Sequence, residues 1–442
     1  MLDGGAVLAH GFAVRQDLPI PYGYALTGAA LALVVSFAAL AFLWREPRFE
    51  DRTGGRAARS FGAVVDSSPF RWALRLLGLV LTGFVVSAAV IGPDDALNPT
   101  AGAVYVQFWI VVLALGSLLF GPLWRALNPL RTLHLLLSRA LRSDPRDGLI
   151  AYPRRLGAWP AAIMLASFGW LELVAPDRAT TRVLLLYFAF YAGVMLVGSA
   201  LFGSTWFDKA DGFERYSTTI GRMSVLGRRP DGTAVVRNPL VNLAALGRGV
   251  GQPAFVCVML AITAFDAYSN TPEWIRFAQQ GDTEPQIVYT LGLVGMCLFV
   301  LAVYGAAAGL AGVLGDRPAH RMPAAFAHSL VPIAVGYVVA HYYSYVVVGV
   351  QQNLQQFSDP YGTGADYLGI AENGISYALV TPTTVATVQV VAVVVGHVLG
   401  VVAAHDRAMA LFPRRHALAG QLPLLVVMVA FTISGITLLF AG

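Results

Sequence analysis

Residues 24–44 read YALTGAALALVVSFAALAFLW and residues 287–314 read IVYTLGLVGMCLFVLAVYGAAAGLAGVL, and neither stretch holds a charged side chain. A helix needs about 20 apolar residues to cross a hydrocarbon core of about 30 Å, so each stretch is long enough to span one. Apolar runs of this kind, bounded by charge, Pro and Gly, recur near 22–44, 72–92, 103–124, 156–175, 182–206, 253–269, 287–314, 323–350, 379–404 and 419–441. The whole chain has 442 residues, 57% apolar and 12% charged, against about 25% charged in a soluble domain. A soluble globular protein is thereby excluded. The expected fold is all-α, a polytopic transmembrane bundle of about ten spans with amphipathic helices on the cytoplasmic side, forming one integral membrane domain over residues 1–442.

The charge that remains specifies topology. Of the 30 basic residues only Lys209 is not arginine, and nearly all lie in the connecting stretches 45–71, 124–155, 207–252, 315–322 and 405–417. The positive-inside rule makes those stretches cytoplasmic, leaves Arg15, Arg178, Arg182 and Arg276 outside, and puts both termini on the outer face of a plasma membrane. Residues 1–20 lack a basic n-region and a cleavage site, so they read as an outer segment. No stacking aromatics interleave with the arginines, which argues against nucleic-acid binding; the expected surroundings are lipid, with room for a partner subunit. Cys257 and Cys297 lie in separate spans and read as small packing residues.

Two ordered strings recur. Residues 116–124 and 198–206 share GSxLFGxxW, and residues 128–136 and 238–246 share NPLxxLxxL. They define a tandem parallel repeat over 103–175 and 182–269, whose second copy carries a cytoplasmic insertion at 207–237. Within the insertion Asp231-Gly232 suits a small hairpin, and the segment as a whole reads as a solvated connector. Each repeat copy ends in a span with one acid near its outer end, Glu172 and Asp266, which the repeat would place at similar depth.

A carboxylate within a span costs roughly 2.5–3.5 kcal/mol at mid-depth on the insertion scale, so it faces protein or a wet cavity. The eighth run supplies a partner. Tyr337, His341, Tyr345 and Gln352 follow at helical spacing along one face, and the depth of His341 suits Glu172 or Asp266. The outer segment adds His10 and Asp17, and the outer loop 351–378 adds Asp359, Asp366 and Glu372. His341, His10 and Asp17 as ligands, with Glu172 and Asp266 as ligands or general base, make an N/O set suited to a divalent metal such as zinc, manganese or iron. On the cytoplasmic side His328 and His397, counted from their shared loop, would lie at one level and face each other, as haem ligands do. His405-Asp406-Arg407 reads as an interfacial helix end. Gly396/Gly400 and Gly305/Gly309 form GxxxG pairs that favour close helix packing.

His10-Gly, Asp17-Leu-Pro-Ile-Pro21, Trp170-Leu-Glu-Leu173, Tyr216-Ser-Thr, Gly221-Arg, Gly227-Arg-Arg, Asp231-Gly232, Asp359-Pro-Tyr-Gly-Thr-Gly364 and Gly396-His through His405-Asp-Arg407 give the chain a resemblance, over most of its length, to multi-pass actinobacterial membrane proteins called fenitrothion hydrolases. The resemblance implies hydrolysis of an organophosphate phosphoester, with a metal-bound water as nucleophile. Two other readings stay open on the residues alone. Parallel repeats and intramembrane acids suit a proton- or cation-coupled transporter of a small solute, and His328 with His397 would suit a haem- or metal-binding redox subunit.

Overall fold

The computed structural model describes residues 21–95, 97–280 and 282–441. The protein is an all-α polytopic helix bundle. Its principal helices are α1 Tyr22–Leu43, α2 Arg59–Asp66, α3 Ser68–Ile91, α4 Thr100–Phe120, α5 Pro129–Ala140, α6 Trp159–Leu173, α7 Thr181–Phe202, α8 Gly212–Gly221, α9 Gln252–Ser269, α10 Pro285–Leu314, α11 Leu330–Gln356, α12 Pro382–Leu411 and α13 Leu422–Ala441. Among the described residues, nine helices are long and apolar enough to cross a membrane. The fourth run, 156–175, forms α6, which has 15 residues and so extends only about 22 Å. Pro160 sits in the first turn of this helix, which ends at Leu173.

Many large apolar side chains point outward, among them Phe42 at 74% and Leu43 at 78% exposure. In water such a surface would aggregate, whereas in lipid it is the ordinary exterior.

The chain divides into two compact units. The described part of unit 1 is 56–95, 97–236 and 344–379; that of unit 2 is 21–55, 237–280, 282–343 and 380–441. Unit 1 is organised around α8, which lies inside the insertion expected to be a solvated connector. Gly212 starts α8 so close to α6 that a Cβ there would meet Ala161 O and Leu165 N at 3.0 Å. Phe213 then packs edge-on to Phe168 and Tyr191, ring centroids 5.1 Å from each, and Tyr216 stacks on Trp109 at 4.5 Å. The charged composition of 207–221 therefore does not reflect solvent. The remainder of the insertion does form the expected hairpin. β2 Leu226–Arg228 and β3 Ala234–Val236 pair antiparallel, Gly232 turns between them at φ 88°, and β1 Arg56–Ala57 adds to β3.

Both GSxLFGxxW strings end a helix in the same way. Gly121 (φ 83°, ψ −155°) and Gly203 (φ 62°, ψ −162°) take a backbone conformation that is essentially restricted to glycine. Both NPL strings also start a helix alike, with Pro in the first turn and Asn128 or Asn238 accepting from the backbone N–H of Leu130 or Leu240. In α4 the stretch Ala103–Gly116 is π-helical, an arrangement that period counting along the sequence does not anticipate.

In unit 2, α9 has 83% of its apolar window buried, against 17% for α10, so α9 is a central helix and α10 faces outward. The core around Tyr337, Ala340, Val393 and Ile436 joins α11, α12 and α13. α11 and α12 run antiparallel and touch backbone to backbone. A Cβ on Gly396 would lie 2.6 Å from Pro332 O and 3.1 Å from Gly336 Cα, and one on Gly400 would lie 2.8 Å from Ser329 O. Close packing at Gly396/Gly400 is thus observed. At Gly305 and Gly309 nothing stands within 4 Å, so within the described residues that pair packs against nothing.

Candidate functional site

The site develops at the last turn of α9. Gly251, with φ 76°, and Pro253 start this helix, and Asn270 ends it by donating to Asp266 O at 2.7 Å. Asp266 is thereby held near the helix end, 4% exposed, with its carboxylate turned onto α11. There Oδ2 accepts from Tyr342 Oη at 3.0 Å and lies 2.8 Å from His341 Nε2, while Oδ1 lies 3.3 Å from Asn270 Nδ2. Tyr342 Oη and His341 Nε2 therefore converge on one oxygen of the carboxyl group. Tyr337 stacks parallel to the imidazole, ring centroids 6.2 Å apart, and Tyr342 packs edge-on to it at 4.9 Å.

Of the sequence-predicted site residues, the structure brings together Asp266 and His341. Glu172 belongs to unit 1, where it lies within electrostatic reach of Tyr105 and Tyr216. His10 and Asp17 lie outside the described residues. In the loop 351–378, Asp359 accepts from the backbone N–H of Thr363 (2.9 Å) and Gly364 (2.7 Å), and Asp366 from Ile370 (3.0 Å) and Ala371 (3.2 Å). These two acids build turns. Among the described residues no three His, Cys, Asp or Glu side chains gather as a metal set. Asp266 and His341 supply two donors where a catalytic zinc takes three.

The His328 and His397 expectation rests on equal depth, and the helix crossing sets a different register. His328 hydrogen-bonds the backbone at Ala325 and Ala403, whereas His397 Nδ1 donates to Val393 O at 2.9 Å. Ala403 is six residues beyond His397, about 9 Å along α12. The two imidazoles therefore do not sit opposite each other at one level as haem ligands would. Cys257 and Cys297 are free thiols.

The structure adds two buried polar groups. Near the end of α12, His405, Asp406 and Arg407 are buried to 1–2% exposure and clamp the chain that follows α1. Asp406 accepts from Trp44 Nε1 (3.1 Å) and Phe49 N (3.2 Å) and from Arg48 N, His405 reaches Trp44 O (2.9 Å) and Gln421 Oε1 (2.8 Å), and Arg407 joins Glu50 to Ala244 O.

The second group lies in unit 1, at the start of α8. Asp211 Oδ1 caps the helix through Phe213 N (2.9 Å) and Glu214 N (3.2 Å), and its Oδ2 accepts from Asn128 Nδ2 (2.9 Å) and Tyr191 Oη (3.1 Å). Glu214 takes a two-point grip from Arg131, Nε at 2.9 Å and Nη2 at 2.7 Å, and Arg131 also holds Asp208 at 2.6 Å. Burial, then the neighbouring Glu214 charge, pushes Asp211 up to about 7 against the pull of its hydrogen bonds. Burial likewise raises Glu214, opposed by the charges of Arg131 and Arg125. The spacing Asp211-Gly-Phe-Glu214 is the helix-start pattern of a cap followed by an acid three residues on, and that signal was available in the sequence.

No family model, no curated protein and no solved structure matches this chain.

Proposed function

We propose that the protein is a proton-coupled membrane carrier in which Asp266 and His341 form the proton-binding pair. The observation that carries the reading is the contact itself. An Asp and a His on two membrane-length helices share one part-buried hydrogen bond, with Tyr342 on the same oxygen. A lone carboxylate at such a place is costly, and a His partner gives it two electrically balanced forms, Asp⁻ with imidazolium or Asp-H with imidazole. A third form with both groups protonated adds one net charge, which a helix pair registers as altered packing. Intramembrane acid–His pairs of this kind serve proton relays, and the repeated strings around 103–269 supply the architecture that carriers use.

The resemblance to fenitrothion hydrolases supports a second reading, in which the same two side chains act on a phosphotriester. One experiment separates them. The full chain is reconstituted in liposomes that enclose a pH-sensitive dye, a panel of organic anions, amines and divalent cations is added outside, and p-nitrophenyl phosphotriester hydrolysis is followed in parallel. Solute-driven proton entry that disappears in Asp266→Asn is expected. Hydrolysis that requires Asp266, with no proton movement for any solute, would overturn the carrier reading.

A further inference from the structure

Among the described residues, Tyr337 Oη, Gln389 Oε1 and His397 Nε2 are buried in unit 2 without a hydrogen-bond partner. Their residues are 3%, 5% and 1% exposed. Buried polar atoms in folded proteins are almost always paired, by protein or by ordered water, so three on facing helices require an explanation. The chemistry of the three is complementary to water. His397 donates its Nδ1 hydrogen to Val393 O, which leaves Nε2 as a bare acceptor; Gln389 Oε1 is a second acceptor; Tyr337 Oη can donate or accept. Two acceptors need hydrogens, and no protein group at these atoms supplies them.

The register of the helices brings the three to neighbouring levels. α11 and α12 touch at Gly336 and Gly396, so Tyr337 lies beside the level of His397, and it shares a core cluster with Val393, one turn from both Gln389 and His397. One turn further along α11 comes His341, stacked on Tyr337 and bonded to Asp266.

We propose that Tyr337, Gln389 and His397 line a file of ordered water that carries protons along α12 between the Asp266–His341 pair and the level of His397. Gln389 to His397 is about 12 Å, a distance that the side chains and a few waters span. In the transfer His397 Nε2 takes the excess proton from a hydronium in the file, which becomes water, while Nδ1–H stays on Val393 O. The same nitrogen then returns its proton to the next water, so no heavy-atom bond changes and nothing is oxidised. The inference rests on the proton-coupled reading of Asp266 and His341.

Two measurements on the full chain in bilayers test it. With ¹⁵N-histidine labelling, magnetisation transfer from water protons to the His397 Nε2 resonance, assigned by its loss in His397→Phe, is expected. A wild-type Nε2 signal with no transfer from water overturns the file. In dye-loaded liposomes with proton entry driven by a valinomycin potassium gradient, His397→Leu and Gln389→Leu should each slow entry by about tenfold or more, with His397→Gln retaining more of the rate because it keeps an acceptor for water. Entry lost in Asp266→Asn yet unchanged in both leucine variants overturns the file and leaves the pair standing. Entry unchanged in all three variants, or absent from the wild type, overturns both.

Discussion

Replacing Asp211 by Asn keeps the shape of the side chain and separates its cap from its charge. Oδ1 goes on accepting from Phe213 N and Glu214 N, but the new Nδ2 stands where Oδ2 accepted from Asn128 Nδ2 and Tyr191 Oη. Tyr191 can rotate to accept. Asn128 cannot reverse its amide, because its Oδ1 caps α5 at Leu130 N (3.0 Å) and Arg131 N (3.1 Å). Two buried donors then face each other, which costs about 1–3 kcal/mol. Against this stands the removal of a buried charge. A carboxyl raised from 3.8 to about 7 on folding holds its proton in the folded chain and sheds it in the unfolded one across that interval. Its stabilising contribution is full below the unfolded value and is lost as pH rises through the folded one, by about 4 kcal/mol in all. The amide of the Asp211→Asn variant contributes no such slope. The wild type should therefore lose stability between about pH 4 and pH 7, and the variant should be less stable than the wild type at the acid end and more stable above neutrality. Thermal unfolding in detergent, read by tryptophan fluorescence across that pH range, checks this. Parallel curves that never cross would refute the account of Asp211.

Gly396→Ala puts a Cβ 2.6 Å from Pro332 O, where only backbone could give way, so it should destabilise by about 1–3 kcal/mol, whereas Gly305→Ala, with nothing within 4 Å, should be neutral or stabilising by up to about 1 kcal/mol; melting of the two variants side by side tests the helix crossing. Arg131→Met leaves the Glu214 carboxylate, 2% exposed, with only the more distant Arg125 and should cost about 3–5 kcal/mol. Adding Glu214→Met should restore more than half of that stability, since the double variant buries no charge at this point; a double variant no better than the single one counts against the ion pair as the cause.

The parts of the fold that were legible in the sequence are those set by local physics. Uncharged runs such as 24–44 and 287–314 became α1 and α10, Asn-Pro became a capped helix start at Asn128 and Asn238, and Asp231-Gly232 became a hairpin turn. His341 and Asp266 could be matched because depth within a span is counted along one helix from one boundary. The level of His328 against His397 could not be obtained that way, since it depends on where Gly336 and Gly396 let two helices cross. The insertion misled for a different reason. Asp208, Asp211, Glu214 and Arg215 suggest solvent by composition, yet Asp208 and Glu214 are paired with Arg125 and Arg131 from another part of unit 1, and pairing removes most of the reason for charge to seek water. Burial of His405-Asp406-Arg407 was hidden likewise, because their partners lie near residues 44–50, far away in the chain.

The central claim is that the Asp266–His341 pair takes up and releases a proton inside the membrane, and infrared difference spectra of the lipid-reconstituted protein across a pH step test it most directly. The account predicts a carboxylic C=O band that appears on acidification, is lost in Asp266→Asn, and shifts in His341→Gln and in Tyr342→Phe because both side chains hydrogen-bond the same oxygen. A spectrum in which Asp266→Asn removes no band at any pH would contradict it.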